Sequence, residues 1–352
     1  LKTAFYSFYL IWFSTVFLSC KGTSQRYINT VQEAEGVTII LSDSSSAAAL
    51  IQQDDADGFF DYIMPLDIQI QMKNGTGCHT KEHCLTVYRE FLSRQVSQWT
   101  VTDTDSLMPV IENAVKISNA IAGKFMPDSI YLVKIKTGHY GNDVYYTRGK
   151  CIMIPENIFQ NFDSEMQLPV MIHEIFHIIS RYQPEIRDSL YSMIGFERLD
   201  GKVTLPPQTE KIVLTNPDGA MRTHAIRLTA GQSNEVLAIP LITSKFRQYR
   251  TEIPLFFDYL NFDLYEIVPT DGGNYTVKAG PGGGTTLDLG YTPMFFTKIR
   301  DNTQYIIHPE EIMADNFMLA VLAVHKSDFS RFSPKGRQLI DSLIRYFQKI
   351  NR

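Results

Sequence analysis

Eleven residues constrain this chain more than any others: Val170-Met171-Ile172-His173-Glu174-Ile175-Phe176-His177-Ile178-Ile179-Ser180. They carry two histidines four positions apart, with a glutamate after the first, inside an otherwise apolar run. On an α-helix four residues turn about 400°, so His173 and His177 stand on one face, one turn apart. Two imidazoles so placed can hold one Zn²⁺ at about 2.0–2.1 Å each. Glu174 points about 100° away from His173 and can reach a water beside the metal without ligating it. The competing reading is a plain core helix with two satisfied histidines. Burying three polar side chains among isoleucines and phenylalanine is costly unless they have partners, which weighs against it.

With 352 residues, 44% hydrophobic and 20% charged, the chain can bury a sizeable core. Its net charge of −5 and the lack of any lysine or arginine run argue against a nucleic-acid partner.

The N-terminus reads as an address rather than as fold. Ala4 to Leu18 is largely apolar, too short to span a bilayer comfortably, and ends in Phe17-Leu18-Ser19-Cys20. This resembles a bacterial lipoprotein signal, although Phe17 stands where leucine is commonest. The resemblance implies lipidation of Cys20, export, and a lipid anchor holding the protein at the outer surface of a bacterial membrane in the cell envelope. A plain secretory signal or an anchoring helix is the alternative. In an oxidising compartment Cys78 and Cys84, six residues apart, can close a small disulfide loop. The segment Cys78-His79-Thr80-Lys81-Glu82-His83-Cys84 matches no known zinc spacing, so a disulfide or inert thiols is preferred to a second metal site. Cys151, beside Ile152 and Met153, reads as a buried apolar residue.

Periodicity supplies the elements. Val37–Leu41 reads as a short strand, Ser42–Ser46 as a turn, and Leu66–Lys73, with its period of two, as a half-exposed strand. Helices are expected over Glu82–Thr100 and over Asp105–Phe125, the second capped by Asp103 or Asp105. Ile130–Lys136 and Tyr145–Ile154 read as strands. The metal helix should run from about Leu168 to Tyr182 with Pro169 in its first turn, and Pro184 should start another. Residues 200–300 are punctuated by Gly, Pro, Asn and Asp around short apolar runs, so they read as irregular β structure. Gly280–Gly284 lacks the lysine and strand–helix context of a phosphate loop. Pro309–Val324 and Ser333–Ile350 read as helices, and the fold class is therefore α+β.

A zinc site needs a third protein ligand and one open position. The best candidate stretch is Tyr305-Ile306-Ile307-His308-Pro309-Glu310-Glu311-Ile312-Met313-Ala314-Asp315. Pro309 suits a first helical turn, and Glu311-x-x-x-Asp315 puts two carboxylates on one face. Here the chain resembles the gluzincins, the thermolysin-like zinc metallopeptidases, over residues 166–182 and 305–317. Carried over by motif, the resemblance implies that His173, His177 and Glu311 bind Zn²⁺. It makes Glu174 the general base and later proton donor, and Asp315 the partner of a ligand histidine's far nitrogen. Glu310 and His308 remain rival third ligands. The separation of 134 residues between His177 and Glu311 departs from the group, where it is far shorter.

The resemblance implies a zincin-like fold. A small mixed sheet packs on an active-site helix carrying His-Glu-x-x-His, and a second helix bears the third ligand. The expected domains are a signal peptide over 1–20, an N-terminal extension over 21–100, and a catalytic domain over 101–352 with a long insertion at about 200–300. The expected reaction is hydrolysis of peptide bonds in a peptide or protein substrate. Tyr305, Tyr291, Tyr191 and His224 are candidate oxyanion donors, and the strand around Lys150–Ile154 is a candidate cleft edge. The alternatives are a non-catalytic zinc-containing binding lipoprotein with a metallopeptidase-like fold, and a zinc hydrolase acting on something such as a cell-wall crosslink.

Overall fold

In chain order the protein forms β1 (Val31–Ala34), β2 (Val37–Leu41), α1 (Ser44–Leu50), α2 (Phe59–Tyr62), α3 (Pro65–Met72), α4 (Lys81–Ser93) and α5 (Val101–Ala122). Then come β3 (Ser129–Ile135), β4 (Tyr146–Arg148), β5 (Cys151–Pro155), α6 (Ser164–Tyr182), α7 (Pro184–Met193), β6 (Phe196–Arg198), β7 (Val203–Thr204), α8 (Pro207–Glu210) and β8 (Val213–Leu214). The remainder is β9 (His224–Ala230), β10 (Asn234–Ser244), α9 (Phe256–Tyr259), β11 (Leu260–Pro269), β12 (Tyr275–Val277), α10 (Pro293–Ile299), α11 (Pro309–Lys326) and α12 (Pro334–Ile350). This computed structural model describes residues 31–54, 56–75, 80–230 and 234–352. Cys20 with its preceding apolar run, and Cys78 with His79, lie outside the described residues. Cys84 is disulfide-bonded. Among the described residues no helix is long and apolar enough to cross a membrane.

The first sheet has the order β1-β2-β3-β5-β4. Strands β2, β3 and β5 are parallel neighbours, while β1 and β4 run antiparallel at the two edges. Its central strands are buried on both faces, as parallel strands usually are. Leu132, Ile152 and Ile154 face one apolar cluster, shared with α5, α6, α11 and α12. Val133, Cys151 and Met153 face another, built from the small helices α1 to α4. Successive residues thus serve opposite cores, the period of two that a strand imposes. A mixed sheet therefore lies against α6, and α11 packs beside α6 across the first core. This is the zincin-like α+β arrangement.

The second sheet is built from residues 196–277. Its order is β6-β9-β10-β11-β12-β7, with β8 also paired to β10. All its pairings are antiparallel except β12 with β7. The loop between β8 and β9 returns to α6 and α11, and it matters to the site below.

Several elements differ from their expected form, each for a local reason. Leu66–Lys73 is helix, not strand: Pro65 opens α3, and the polar Asp67 and Gln71 are buried rather than facing water. Gln71 Nε2 donates to Asp67 Oδ1 at 2.7 Å across one helical turn. Helix α1 begins inside the expected turn because Asp43 caps it. Helix α4 stops at Ser93, and Thr100 opens α5 with a capping box to Asp103, an arrangement worth about 1 kcal/mol. Neither Asp103 nor Asp105 is the cap. Tyr145–Ile154 is a hairpin, β4 and β5, turned at Gly149 with φ 54°. The metal helix α6 starts earlier than expected, capped by Asp163, so Pro169 sits inside it.

Candidate metal centre

Helices α6 and α11 deliver three donor atoms to one point. Glu311 Oε2 lies 3.2 Å from His173 Nε2 and 3.5 Å from His177 Nε2. Ligand atoms of the three residues all lie within 4.8 Å of one another. Four ligands at the usual zinc distances form a tetrahedron with edges of about 3.3 Å, so the spacing fits a zinc ion. The donor set, two imidazoles and a carboxylate, is one that zinc uses when a further position stays open. Among the described residues His177 Nε2, which is buried, has no hydrogen-bond partner, as expected of an atom that ligates a metal.

The remaining polar atoms of these three side chains are occupied. His173 Nδ1 lies 2.9 Å from Asp315 Oδ1, the pairing expected of the Glu-x-x-x-Asp spacing. His177 Nδ1 lies 2.8 Å from Glu310 Oε1. Glu310 in turn accepts from Ser180 Oγ at 2.7 Å and from the Tyr191 hydroxyl. Thr303 donates to Asp315, and Asn216 Nδ2 donates to Glu311 Oε1 at 2.7 Å. Such partners fix the imidazole tautomer, leaving Nε2 free for a metal.

The electrostatics follow from burial and pairing. Burial alone would lower the His173 pKa, but Asp315 and Glu311 outweigh it and raise it to about 10. The same contest, won chiefly by Glu311 and Asp218, lifts His177 well above the usual histidine value. Glu311 is held well below a normal carboxylate: burial opposes this, and the two histidines prevail. Glu174 behaves oppositely. Burial, aided by the Asp218 carboxylate, pushes it up to about 8. It is only 4% exposed, and its Oε2 has no hydrogen-bond partner among the described residues.

Asp218 comes from the β8–β9 loop. Its Oδ1 accepts from both Thr147 N and Thr147 Oγ1 at 2.6 Å, and the carboxylate lies within 4.8 Å of ligand atoms of Glu174 and His177. The site opens into a cleft of about 380 Å³ walled in part by Val144, Tyr145, Val170, Phe257, Tyr305 and Met318.

The other expected residues fall elsewhere. His308 caps α11, its Nδ1 accepting from Glu310 N at 3.1 Å. Glu310 serves His177 from behind instead of joining the donor cluster. Among the oxyanion candidates Tyr305 lines the cleft, its ring stacked 6.2 Å from His173. Tyr191 is committed to Glu310, and His224 Nε2 to Asp188 Oδ1 at 2.9 Å, outside the cleft lining. The Tyr291 side chain lies outside the described parts. Residues 151–155 form an interior strand, so the sheet edge is β4 rather than the Lys150–Ile154 strand. Sequence reading missed Asn216 and Asp218, because Asn216-Pro217-Asp218-Gly219 reads only as a turn. It also weighed Glu310 only as a ligand, although a residue beside a ligand on a helix can reach behind the neighbouring imidazole.

Comparison with protein-family models, with curated proteins and with solved structures finds no match for this chain. The site stands on its own geometry: His173-Glu174-x-x-His177 on α6 with Glu311 on α11 matches a gluzincin-type zinc site.

Proposed function

We propose that the chain is a zinc metallopeptidase that hydrolyses peptide bonds. A metal-binding triad with a glutamate beside it is consistent with zinc-dependent hydrolysis. The observation that carries the peptidase reading is Glu174, buried within the cleft lining with Oε2 unpartnered beside the triad. A purely structural zinc site has no use for such a group.

His173, His177 and Glu311 would hold the ion. Zinc, when bound, polarises a carbonyl and acidifies water. Glu174 Oε2 takes the proton from the attacking water and passes it to the leaving amine. Tyr305, kept protonated by burial and the surrounding carboxylates, donates to the developing oxyanion. Asp315 and Glu310 keep both imidazoles in the tautomer that presents Nε2.

The N-terminal reading adds a setting: an exported protein anchored at a bacterial membrane through Cys20 and acting on peptides or proteins in the envelope. Metal analysis and a broad peptide-library digest test the function, with wild type set against Glu174→Gln. Zinc in both proteins and cleavage by wild type alone is the expected result. Zinc in both and cleavage by neither would leave a binding protein.

A further inference from the structure

We propose that the cleft ends at Asp218 and that this carboxylate receives the free α-ammonium of a peptide, which makes the chain an aminopeptidase. The proposal rests on the peptidase reading above and narrows its substrate class.

The first observation is a blocked edge. Strand β4 borders its sheet, so an extended peptide would add there through its outward N–H groups. The Thr147 N–H is already taken by Asp218 Oδ1 at 2.6 Å, and the Thr147 hydroxyl donates to the same oxygen. Two residues back, just before β4 begins, Tyr145 walls the cleft. Pairing along β4 is therefore closed at Thr147, and a peptide in the cleft ends there.

The second is what lies behind Asp218. Gly219, Ala220 and His308 help line a cavity of only about 20 Å³ on its far side, room for about one water. Asn216, Asp218 and Ala220 are all buried, so the loop fills the space a longer peptide would need.

The third is the sign of the charge. The charged side chains lining the cleft are Asp143, Glu174, Asp218, Glu311 and Asp315, with His173. Among the described residues no lysine or arginine lines it, so away from the metal and its histidines a C-terminal carboxylate finds no cationic side chain, while the carboxylates attract an ammonium. Beside Asp218, Glu174 is only 4% exposed and its Oε2 faces no hydrogen-bond donor among the described residues.

Position then selects the source of the ammonium. Asp218 is within 4.8 Å of ligand atoms of Glu174 and His177, beside the reacting bond. An α-amine lies close to the carbonyl of its own residue, whereas a lysine ammonium stands a full side chain further off.

The test uses the zinc-loaded full chain and two peptides of one sequence, one with a free N-terminus and one N-acetylated. Residues should leave the free peptide one at a time from its N-terminus, at least about 100-fold faster than any cut in the acetylated one. Internal cleavage of the acetylated peptide at a comparable rate overturns the proposal while keeping the peptidase. Internal cleavage confined to lysine sites does the same and moves the ammonium to a side chain. Failure to cut either peptide removes the peptidase reading as well. Binding supplies a second readout. Leucine hydroxamate should bind the zinc-loaded protein about 10- to 100-fold more tightly than N-acetyl-leucine hydroxamate, and Asp218→Asn should close that gap. Equal binding of the two hydroxamates by wild type refutes the assignment, whether or not the variant folds.

Discussion

His177 Nδ1 and Glu310 Oε1 are 2.8 Å apart, while the next residue, Glu311, brings its own carboxylate to within 3.5 Å of the other nitrogen of the same ring. Two consecutive glutamates at the start of α11 thus grip both sides of one imidazole. Glu310 is buried and pinned by Ser180 and Tyr191, so it can rotate away only by abandoning those bonds. Glu310→Gln should lower zinc affinity by about 10- to 100-fold with Glu311 untouched. Competition with a chromogenic chelator measures this; an unchanged affinity would reduce Glu310 to a packing residue.

Glu174→Gln separates metal binding from proton transfer. The side chain keeps its shape and lies outside the His173, His177 and Glu311 donor set, so zinc content should stay at wild-type stoichiometry. Turnover should fall by about 10²- to 10⁴-fold, the usual contribution of general acid–base catalysis. Elemental analysis alongside a peptidase assay reads both quantities. Loss of zinc in this variant would show that Glu174 belongs to the ligand set.

The histidine shifts give a pH dependence with a defined sign. In the metal-free protein His173 titrates at about 10 and His177 also lies well above its ordinary value. Both therefore carry protons at neutral pH, and zinc must displace them. Affinity should rise with pH, by up to about tenfold per pH unit for each imidazolium displaced. Metal-free stability should move the other way. A raised histidine pKa contributes stability fully present below about 6.5 and lost as pH climbs through about 10. Glu174, raised to about 8, adds a loss between about 4.5 and 8. Zinc titrations and melting of the chelator-treated protein from about pH 5 to about pH 9 would show both trends; a flat zinc affinity would contradict the first.

What the sequence exposes is set by whether a constraint is local. Two histidines and a glutamate at helical spacing, and two carboxylates at helical spacing on a second helix, are visible because α6 and α11 each obey a period of 3.6. That those helices meet is not local, yet the matching carboxylate pair hinted at it. Asn216 and Asp218 carried no signal, since their loop is brought to the site by the second sheet, whose pairings span tens of residues. Leu66–Lys73 misled for another reason. Its alternation marks a strand only if the polar residues face water, and here Asp67 and Gln71 are fully buried.

Those buried polar groups bear on the site at a distance. Asp67 Oδ2 accepts from Thr215 N at 2.7 Å, and Thr215 is next to Asn216, which holds Glu311. Helix α3 therefore anchors the loop that carries Asn216 and Asp218, although no residue of α3 is among those that line the cleft. Burial raises Asp67 to about 7, against the opposing hydrogen bonds from Gln71 and Thr215. Replacing it with alanine leaves the Thr215 N–H and the Gln71 amide without their acceptor, at a cost of about 1–3 kcal/mol. Asp67→Ala should lower the melting temperature and, with the loop loosened, reduce turnover more than zinc content. Asp67→Asn keeps an acceptor for Thr215 and should recover most of the turnover. If alanine lowers stability but leaves turnover and the preference for free amines at wild-type levels, the loop is held by its own packing, and α3 has no part in shaping the cleft.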